Sequence, residues 1–258
     1  MIANYHTHTP RCHHAVGSER EYIERAVAAG FKKFGFSDHS PMFFDGDYYS
    51  GHRMRPEETA GYVETLLALR EEFKKDIEIL IGFEAEYYPK YFGRFIDFLS
   101  DYPIDYLILG QHFMGNEISE RHNYHPTDSI AHLEAYVDQV LEGLSTGCFT
   151  YLAHPDMINF TGSDEVYYAP MKRLCEGAKK MNIPLEINML GVWEGRIYPC
   201  ERFFRIAGEV GNDVILGLDA HQPDRILEKD VLQRALALAE KCGVHLVEDV
   251  PVRPLPKK

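Results

Sequence analysis

Residues 77–112 read IEILIGFEAEYYPKYFGRFIDFLSDYPIDYLILGQH: two apolar runs flank a helical pattern, and each run ends beside a residue able to do chemistry. Ile77 to Gly82 reads as a buried strand, Tyr91 to Leu99 as a helix, and Tyr106 to Leu109 as the next strand. Strand, helix, strand is the unit of a parallel sheet, because a parallel neighbour is reached only through a crossover connection. Glu84 follows the first run through Gly82-Phe83, and His112 follows the second through Gly110-Gln111.

The same alternation extends in both directions. Towards the N-terminus, Ile2 to Tyr5 is a first strand. Ser18 and Glu21 form a capping box that opens a helix closing near Gly30, and Lys33 to Ser37 is a second strand. Pro56 opens a long helix to Lys75, with Tyr62, Leu66, Leu69 and Phe73 on one face. Towards the C-terminus, helices over Asp128–Leu144 (Thr127 as cap), Tyr168–Met181, Glu201–Val210 and Asp230–Cys242 alternate with strands at Phe149–Ala153, Pro184–Ile187, Val214–Leu218 and Val244–Val247. No repeat, low-complexity tract or linker divides the chain. Seven or eight such units predict an α/β fold, one domain over 1–258, closed into a barrel rather than left as an open sheet.

Composition narrows the function. The 258 residues carry a net charge of -13, which argues against nonspecific binding to long nucleic acids but permits an anionic substrate, since bound cations can invert the local field. The five cysteines (Cys12, Cys148, Cys175, Cys200, Cys242) form no C-x-x-C pair and read as reduced thiols. No apolar run approaches the roughly 18 residues of a membrane span, and the N-terminus has no basic leader. The expectation is a cytoplasmic protein without a membrane partner; nothing in the sequence specifies an oligomer.

Polar residues follow the strands one after another: His6-Thr7-His8 with His14 beyond, Asp38-His39, Glu84, His112, His154, Glu186-Ile187-Asn188, and Asp219-Ala220-His221. In a parallel β/α barrel the C-terminal strand ends meet on one face, where active sites are built. Imidazole and carboxylate are ligands for zinc, manganese or iron, and residues i and i+2 of a strand share a face, so His6 and His8 can grip one ion. H-x-H alone is a weak signal. Seven histidines and two carboxylates, each behind its own apolar run, form a strong one.

Taken in order, H-x-H-T-P-x-C (His6 to Cys12), S-D-H (37–39), G-x-E (82–84), G-Q-H (110–112), A-H-P-D (153–156), E-I-N (186–188) and D-A-H (219–221) resemble the polymerase and histidinol phosphatase (PHP) superfamily, and within it the histidinol-phosphatase-like branch. The resemblance runs from Tyr5 to about His221. It implies a distorted, TIM-like (β/α)7 barrel with two to three divalent ions (Zn, Mn or Fe). The first would be held by His6, His8, Glu84 and Asp219. Glu84 would bridge to a second, completed by His112 and His154, and a third would take His14, His39 and His221. His13 neighbours His14, and the spacing after Cys12 favours His14.

The resemblance further implies a phosphomonoesterase in which metal-activated hydroxide attacks a small phosphorylated metabolite, L-histidinol phosphate above all, giving L-histidinol and phosphate in histidine biosynthesis. Nucleotides or short oligonucleotides are the alternative substrates, and a noncatalytic metal-binding scaffold is the alternative class. Amide-cleaving barrels that share H-x-H rely on a lysine at a strand end, and none occurs here. Glu84 is the bridging catalytic group, and Asp219 or His221 is expected to protonate the leaving oxygen. Asp38 and Asp156 are candidates for orienting the ligands. Arg196, Arg53 and Arg55 are candidate phosphate contacts, because the guanidinium fork matches phosphoryl oxygens. Trp193 stands where relatives often carry arginine, and could stack on an imidazole or a base or pack under its loop. Segments 40–55 and 113–126 are expected to wall the site, His132 and His245 to be structural.

Overall fold

Strands buried on both faces must be parallel and flanked by helices, and the apolar runs read above adopt that arrangement. The computed structural model describes residues 1–118, 121–226 and 228–256. Among these, eight parallel strands lie in sequence order in one curled sheet: β1 (Ala3–Asn4), β2 (Lys33–His39), β3 (Glu78–Ala85), β4 (Tyr106–Leu109), β5 (Phe149–Leu152), β6 (Leu185–Asn188), β7 (Asp213–Gly217) and β8 (His245–Leu246). β8 pairs with the start of β7 through Asp213 and His245. At the opposite ends, Thr7 bridges Ala220 in parallel, and the amide of His8 donates to Ala220 O at 3.0 Å. The chain leaving β1 therefore touches the chain leaving β7, which draws all the strand ends around one centre.

Helices α1 (Glu19–Ala29), α2 (Thr59–Phe73), α3 (Pro89–Leu99), α4 (Ile130–Ser145), α5 (Asp164–Lys180), α6 (Met189–Glu194), α7 (Glu201–Val210) and α8 (Lys229–Cys242) connect the strands. α1 has the expected capping box at Ser18 and Glu21 and closes on Gly30 in the left-handed region. Three elements depart from the reading. α4 starts at Ile130 rather than Asp128, and Ser129, not Thr127, caps it by accepting from His132 N at 3.3 Å. α5 starts at Asp164, four residues before the expected Tyr168, where Asp164 and Glu165 favour the positive helix end. α6 was not expected: Asn188 caps it by accepting from Gly191 N at 2.9 Å, and Gly195 ends it. No described helix is long and apolar enough to cross a membrane.

The core has two compartments. The larger lies between helices and sheet; the smaller fills the curl and is built from Ala3, Tyr5, Leu80, Tyr106, Ile108, Tyr151, Ala153, Ile215 and Val250. Tyr106 crosses this interior, its hydroxyl donating to Tyr5 O at 2.7 Å and Phe36 O at 3.1 Å. The C-terminal segment covers the end away from the site: Tyr5 Oη donates to Val250 O at 2.9 Å, and Arg253 donates to Met181 O at 2.6 Å.

Tyr106→Phe removes the shared donor of two strands and strands their carbonyls in an apolar interior. Urea denaturation should show a loss of about 1–3 kcal/mol with the secondary structure unchanged; an unaltered midpoint would show that the hydroxyl contributes nothing to closure.

Candidate metal centre

The strand ends place nine side chains in one continuous cluster, with Glu84 in the middle. Its Oε2 lies 3.5 Å from His6 Nε2, 3.5 Å from His8 Nε2 and 3.2 Å from His39 Nδ1. Its Oε1 faces the other way, 2.8 Å from His154 Nε2 and 3.4 Å from His112 Nε2. Asp219 Oδ1 sits 3.0 Å from His8 Nε2 and 3.5 Å from both His6 Nε2 and His221 Nδ1. His14 Nε2 and His221 Nε2 are 3.0 Å apart. The adjacent His13 turns towards Glu58 instead, 3.9 Å away.

Ligand-capable atoms gather within 4.8 Å of one another in the sets His6/His8/Asp219, His6/Glu84/His154, His8/His39/Glu84 and His14/His39/His221. The chemistry of the donors fits divalent cations. His6 Nδ1 lies 2.8 Å from Glu186 Oε1, and His112 Nδ1 lies 2.9 Å from Glu86 Oε1. A carboxylate only accepts, so those Nδ1 nitrogens carry a proton, and Nε2 is left facing Glu84 to hold a second proton or a cation. His14 Nδ1 meets Cys12 O at 2.8 Å and His221 Nδ1 meets Asp219 O at 3.1 Å. In their neutral forms both rings then present lone pairs to each other, which repel unless a proton or a cation is shared between them. Among the described residues, His6 Nε2 and both ring nitrogens of His8 are buried without a hydrogen-bond partner.

The electrostatics agree. Burial disfavours a charged His6, yet Glu186, Asp219 and Glu84 outweigh it and lift the imidazole to about 10. Burial and the neighbouring His8 push His221 down to about 3. Burial would raise Glu84 and Asp219, but the surrounding imidazoles hold both well below the usual carboxylate range. The site thus pulls positive charge to one side and expels it from the other.

Local backbone keeps the carboxylates in place. A Cβ on Gly110 would lie 1.9 Å from Glu84 Oε1, and one on Gly217 would lie 1.8 Å from Glu186 Oε1, so each glycine is where a carboxylate must pass. His154 (φ 28°) and Asp219 (φ 50°) have positive φ, a conformation costing a non-glycine residue on the order of 1–3 kcal/mol that its surroundings must offset.

One orienting group escaped the sequence reading, Glu86 behind His112, and two named there at a strand end without a role prove to orient ligands: Glu186 behind His6, and Asn188, whose Nδ2 donates to Asp219 Oδ2 at 3.0 Å. The signal was available, since Glu84/Glu86 and Glu186/Asn188 are i, i+2 pairs at strand ends. Asp38 stands 3.6 Å from His8 Nδ1 and accepts from Thr9 Oγ1 and, at 2.9 Å, from His39 N. Asp156 does not orient His154. It accepts from Cys200 N at 2.5 Å and ties two loops together, and burial lifts its carboxyl to about 6.

Above the cluster opens a cavity of about 920 Å³. Trp193 and Arg196 line it, with His52, Phe113, His122, Tyr124 and His125 on the facing wall. These last come from the two segments expected as walls, although Ser119 and Glu120 lie outside the described residues. Arg196 donates to Glu194 Oε2 at 2.5 Å and to Tyr198 Oη at 2.6 Å. Arg225, overlooked in the sequence, also lines the cavity; its guanidinium sits 3.7 Å from the centre of the Trp193 ring and pairs with Glu228. Two expected phosphate contacts are corrected. Arg53 is fully buried in ion pairs with Glu86 and Glu117, and Arg55 lies over the Tyr49 ring; neither lines the cavity. His132 and His245 are away from the cluster, against Asn123 and Asp213.

Comparison with known proteins adds four findings. The family model of the PHP domain matches residues 4–189. A probable histidinol-phosphatase of Deinococcus radiodurans is 29% identical over 241 residues, covering 87% of this chain and 88% of that protein. The histidinol-phosphatase of Bacillus subtilis is 24% identical over 247 residues, 84% of this chain and 92% of its own. Among solved structures, the fold resembles a histidinol phosphate phosphatase from Lactococcus lactis, complexed with zinc, L-histidinol and phosphate, with a TM-score of 0.74 at 18% identity over 99% of each chain.

Gly110→Ala should drive Glu84 out of place without disturbing the strands. Elemental analysis after dialysis should show divalent metal lost relative to the parent protein, with the circular dichroism retained; full metal content would mean that Glu84 does not hold the ions.

Proposed function

The chain belongs to the PHP family, and from that premise we propose that it is a metal-dependent phosphomonoesterase hydrolysing L-histidinol phosphate to L-histidinol and phosphate. The observation that carries the reading is the split of the Glu84 carboxylate, one oxygen facing His6, His8 and His39 and the other facing His112 and His154. On this reading one ion takes His6, His8, Glu84 and Asp219, a second Glu84, His112 and His154, and a third His14, His39 and His221. The ions are two to three in number and are zinc, manganese or iron. Residues 1–258 act as one domain, a distorted (β/α)7 barrel with β8 as an appended edge, working in the cytoplasm, where its five free thiols stay reduced.

Bound divalent cations supply Lewis-acid charge to the phosphoryl oxygens and lower the pKa of the attacking water. The protein's own residues do the rest. Glu186 and Glu86 hold His6 and His112 in the tautomer that presents Nε2. Asn188 fixes one oxygen of Asp219, leaving Oδ1 or the His221 imidazole to take the proton released by the attacking water and pass it to the departing oxygen. Arg196 meets the phosphate at the cavity side, and Trp193 with the histidine- and tyrosine-rich wall receives a planar ring. The substrate choice is supported by the two relatives that carry the name over most of their length and by the Lactococcus lactis protein, which bound L-histidinol and phosphate beside zinc.

Protein loaded with manganese or zinc should turn over histidinol phosphate with a higher kcat/KM than nucleotides or phosphotyrosine, and chelation or Glu84→Ala should silence it. Faster turnover of a nucleotide would transfer the assignment to nucleotide chemistry; inactivity on every ester would favour a metal-binding scaffold.

Arg196→Ala removes one charge-assisted contact of about 1.5–3 kcal/mol. Steady-state kinetics should show KM for the phosphoester raised about 10- to 100-fold with metal content unchanged; unaltered KM would take Arg196 out of the site.

A further inference from the structure

The loops beyond β2, β3 and β4 converge on one buried guanidinium. Arg53 Nη1 donates to Ser40 O at 2.9 Å, Nη2 donates to Glu86 Oε1 at 3.0 Å and to Glu117 Oε2 at 2.5 Å, and Nε donates to Glu117 Oε1 at 3.2 Å. Ser40 directly follows His39, Glu86 lies two residues after Glu84, and Glu117 stands in the loop beyond His112. One side chain therefore ties together the three strand ends that carry His39, Glu84 and His112. Glu86 passes the connection on, because its Oε1 also accepts from His112 Nδ1 at 2.9 Å.

Among the described residues two carboxylates meet one guanidinium, and any further positive charge reaches them through imidazoles, His112 on Glu86 and His52 at 3.9 Å from Glu117. Arg53 is fully buried, and Glu86 and Glu117 with it, so one positive and two negative groups share a space closed to water. Among the described residues, Glu86 Oε2 and the Tyr88 hydroxyl have no hydrogen-bond partner there. An excess negative charge in such a place is costly unless a cation offsets it nearby. His112 provides that link, with Nδ1 on Glu86 and Nε2 turned to Glu84, so positive charge at Nε2 strengthens the bond to Glu86 and the carboxylate strengthens the imidazole as a ligand.

We infer that Arg53 is a positioning residue for the metal centre: through Glu86 and His112, and by joining three loops, it sets how tightly the His39–Glu84–His112 side holds its ions. The inference rests on reading the cluster as a metal centre. It also explains why a residue in a phosphate-like sequence context makes no contact with the cavity.

The test compares the parent protein with Arg53→Met, Arg53→Lys and Glu117→Gln. Zinc affinity is measured by competition with a chromogenic chelator, and the cobalt-substituted protein is followed by its visible spectrum. Both Arg53 variants should bind zinc roughly 10- to 100-fold more weakly, the usual effect of removing a ligand's supporting partner. Their cobalt bands should shift, their KM should stay within about twofold, and excess metal should restore kcat. Glu117→Gln keeps the shape, concentrates Arg53 on Glu86 and removes the charge excess, so zinc affinity should fall in the same direction even if the Arg53 variants do not fold. Parental affinity and spectrum in the folded variants, with only a lower melting temperature, would reduce Arg53 to a staple and overturn the inference. A raised KM with intact metal binding would overturn it in favour of a substrate contact. A parent protein that binds no zinc would instead end the metal-centre reading itself.

Discussion

A single buried carboxylate organises this molecule. Glu84 is 1% exposed and gathers imidazoles from four other strand ends. No apolar core would tolerate it alone, since an unpaired buried charge is expelled or neutralised. Its neighbours are themselves awkward: imidazoles crowded inwards on one carboxylate, two of them meeting nitrogen to nitrogen at 3.0 Å. Each group is a poor choice for stability by itself. Together they are a consistent demand for cations, and the curled sheet supplies the geometry by bringing the strands to a common focus.

The interior is layered accordingly. At the closed end the C-terminal segment and Tyr5 seal the curl, and Tyr106 spans it. Above them Tyr151 donates to Glu186 Oε1 at 3.1 Å, and the same oxygen serves His6. Polarity thus rises stepwise from tyrosine hydroxyl to carboxylate to ligand, and every step is hydrogen-bonded. Such a column lets charged groups sit above an apolar floor without orphaned donors between. The positive φ of His154 and Asp219 belongs to the same economy of position, strain being tolerated where the strand must stop and the side chain must turn inwards.

How much of this the sequence disclosed follows from which forces are local. The alternation of strands and helices was legible because burial on both faces writes continuous apolar runs, and the ligands were legible because each follows such a run. α6 was not, since Met189–Glu194 is six residues long, contains a glycine, and owes its start to the Asn188 cap rather than to periodicity. Arg53 was misplaced because its loop position says nothing of which way the side chain turns; only the distant Glu86 and Glu117 decide that. Arg225 was passed over because its partner at the cavity, Trp193, lies 32 positions earlier in the chain. Spacing reveals what a strand does to its own residues and conceals what two loops do to each other.

The rim of the cavity bears on the choice among phosphoesters. Arg196 is paired with Glu194 and Arg225 with Glu228, and all four line the opening. Each pair is close to neutral from a distance, so the rim adds little long-range attraction for anions, and Arg196 acts on a phosphate only at contact range. In a chain of net charge -13, the long-range pull on a phosphate must come from the metal centre below. The same carboxylates suit an ammonium group, and they would repel the additional phosphates of a nucleoside di- or triphosphate at short range. A substrate with one phosphate, one amine and a flat ring satisfies the floor, the rim and the wall together. A polyphosphate satisfies the floor and wall while meeting two carboxylates at the rim, so the rim opposes nucleoside di- and triphosphates at short range.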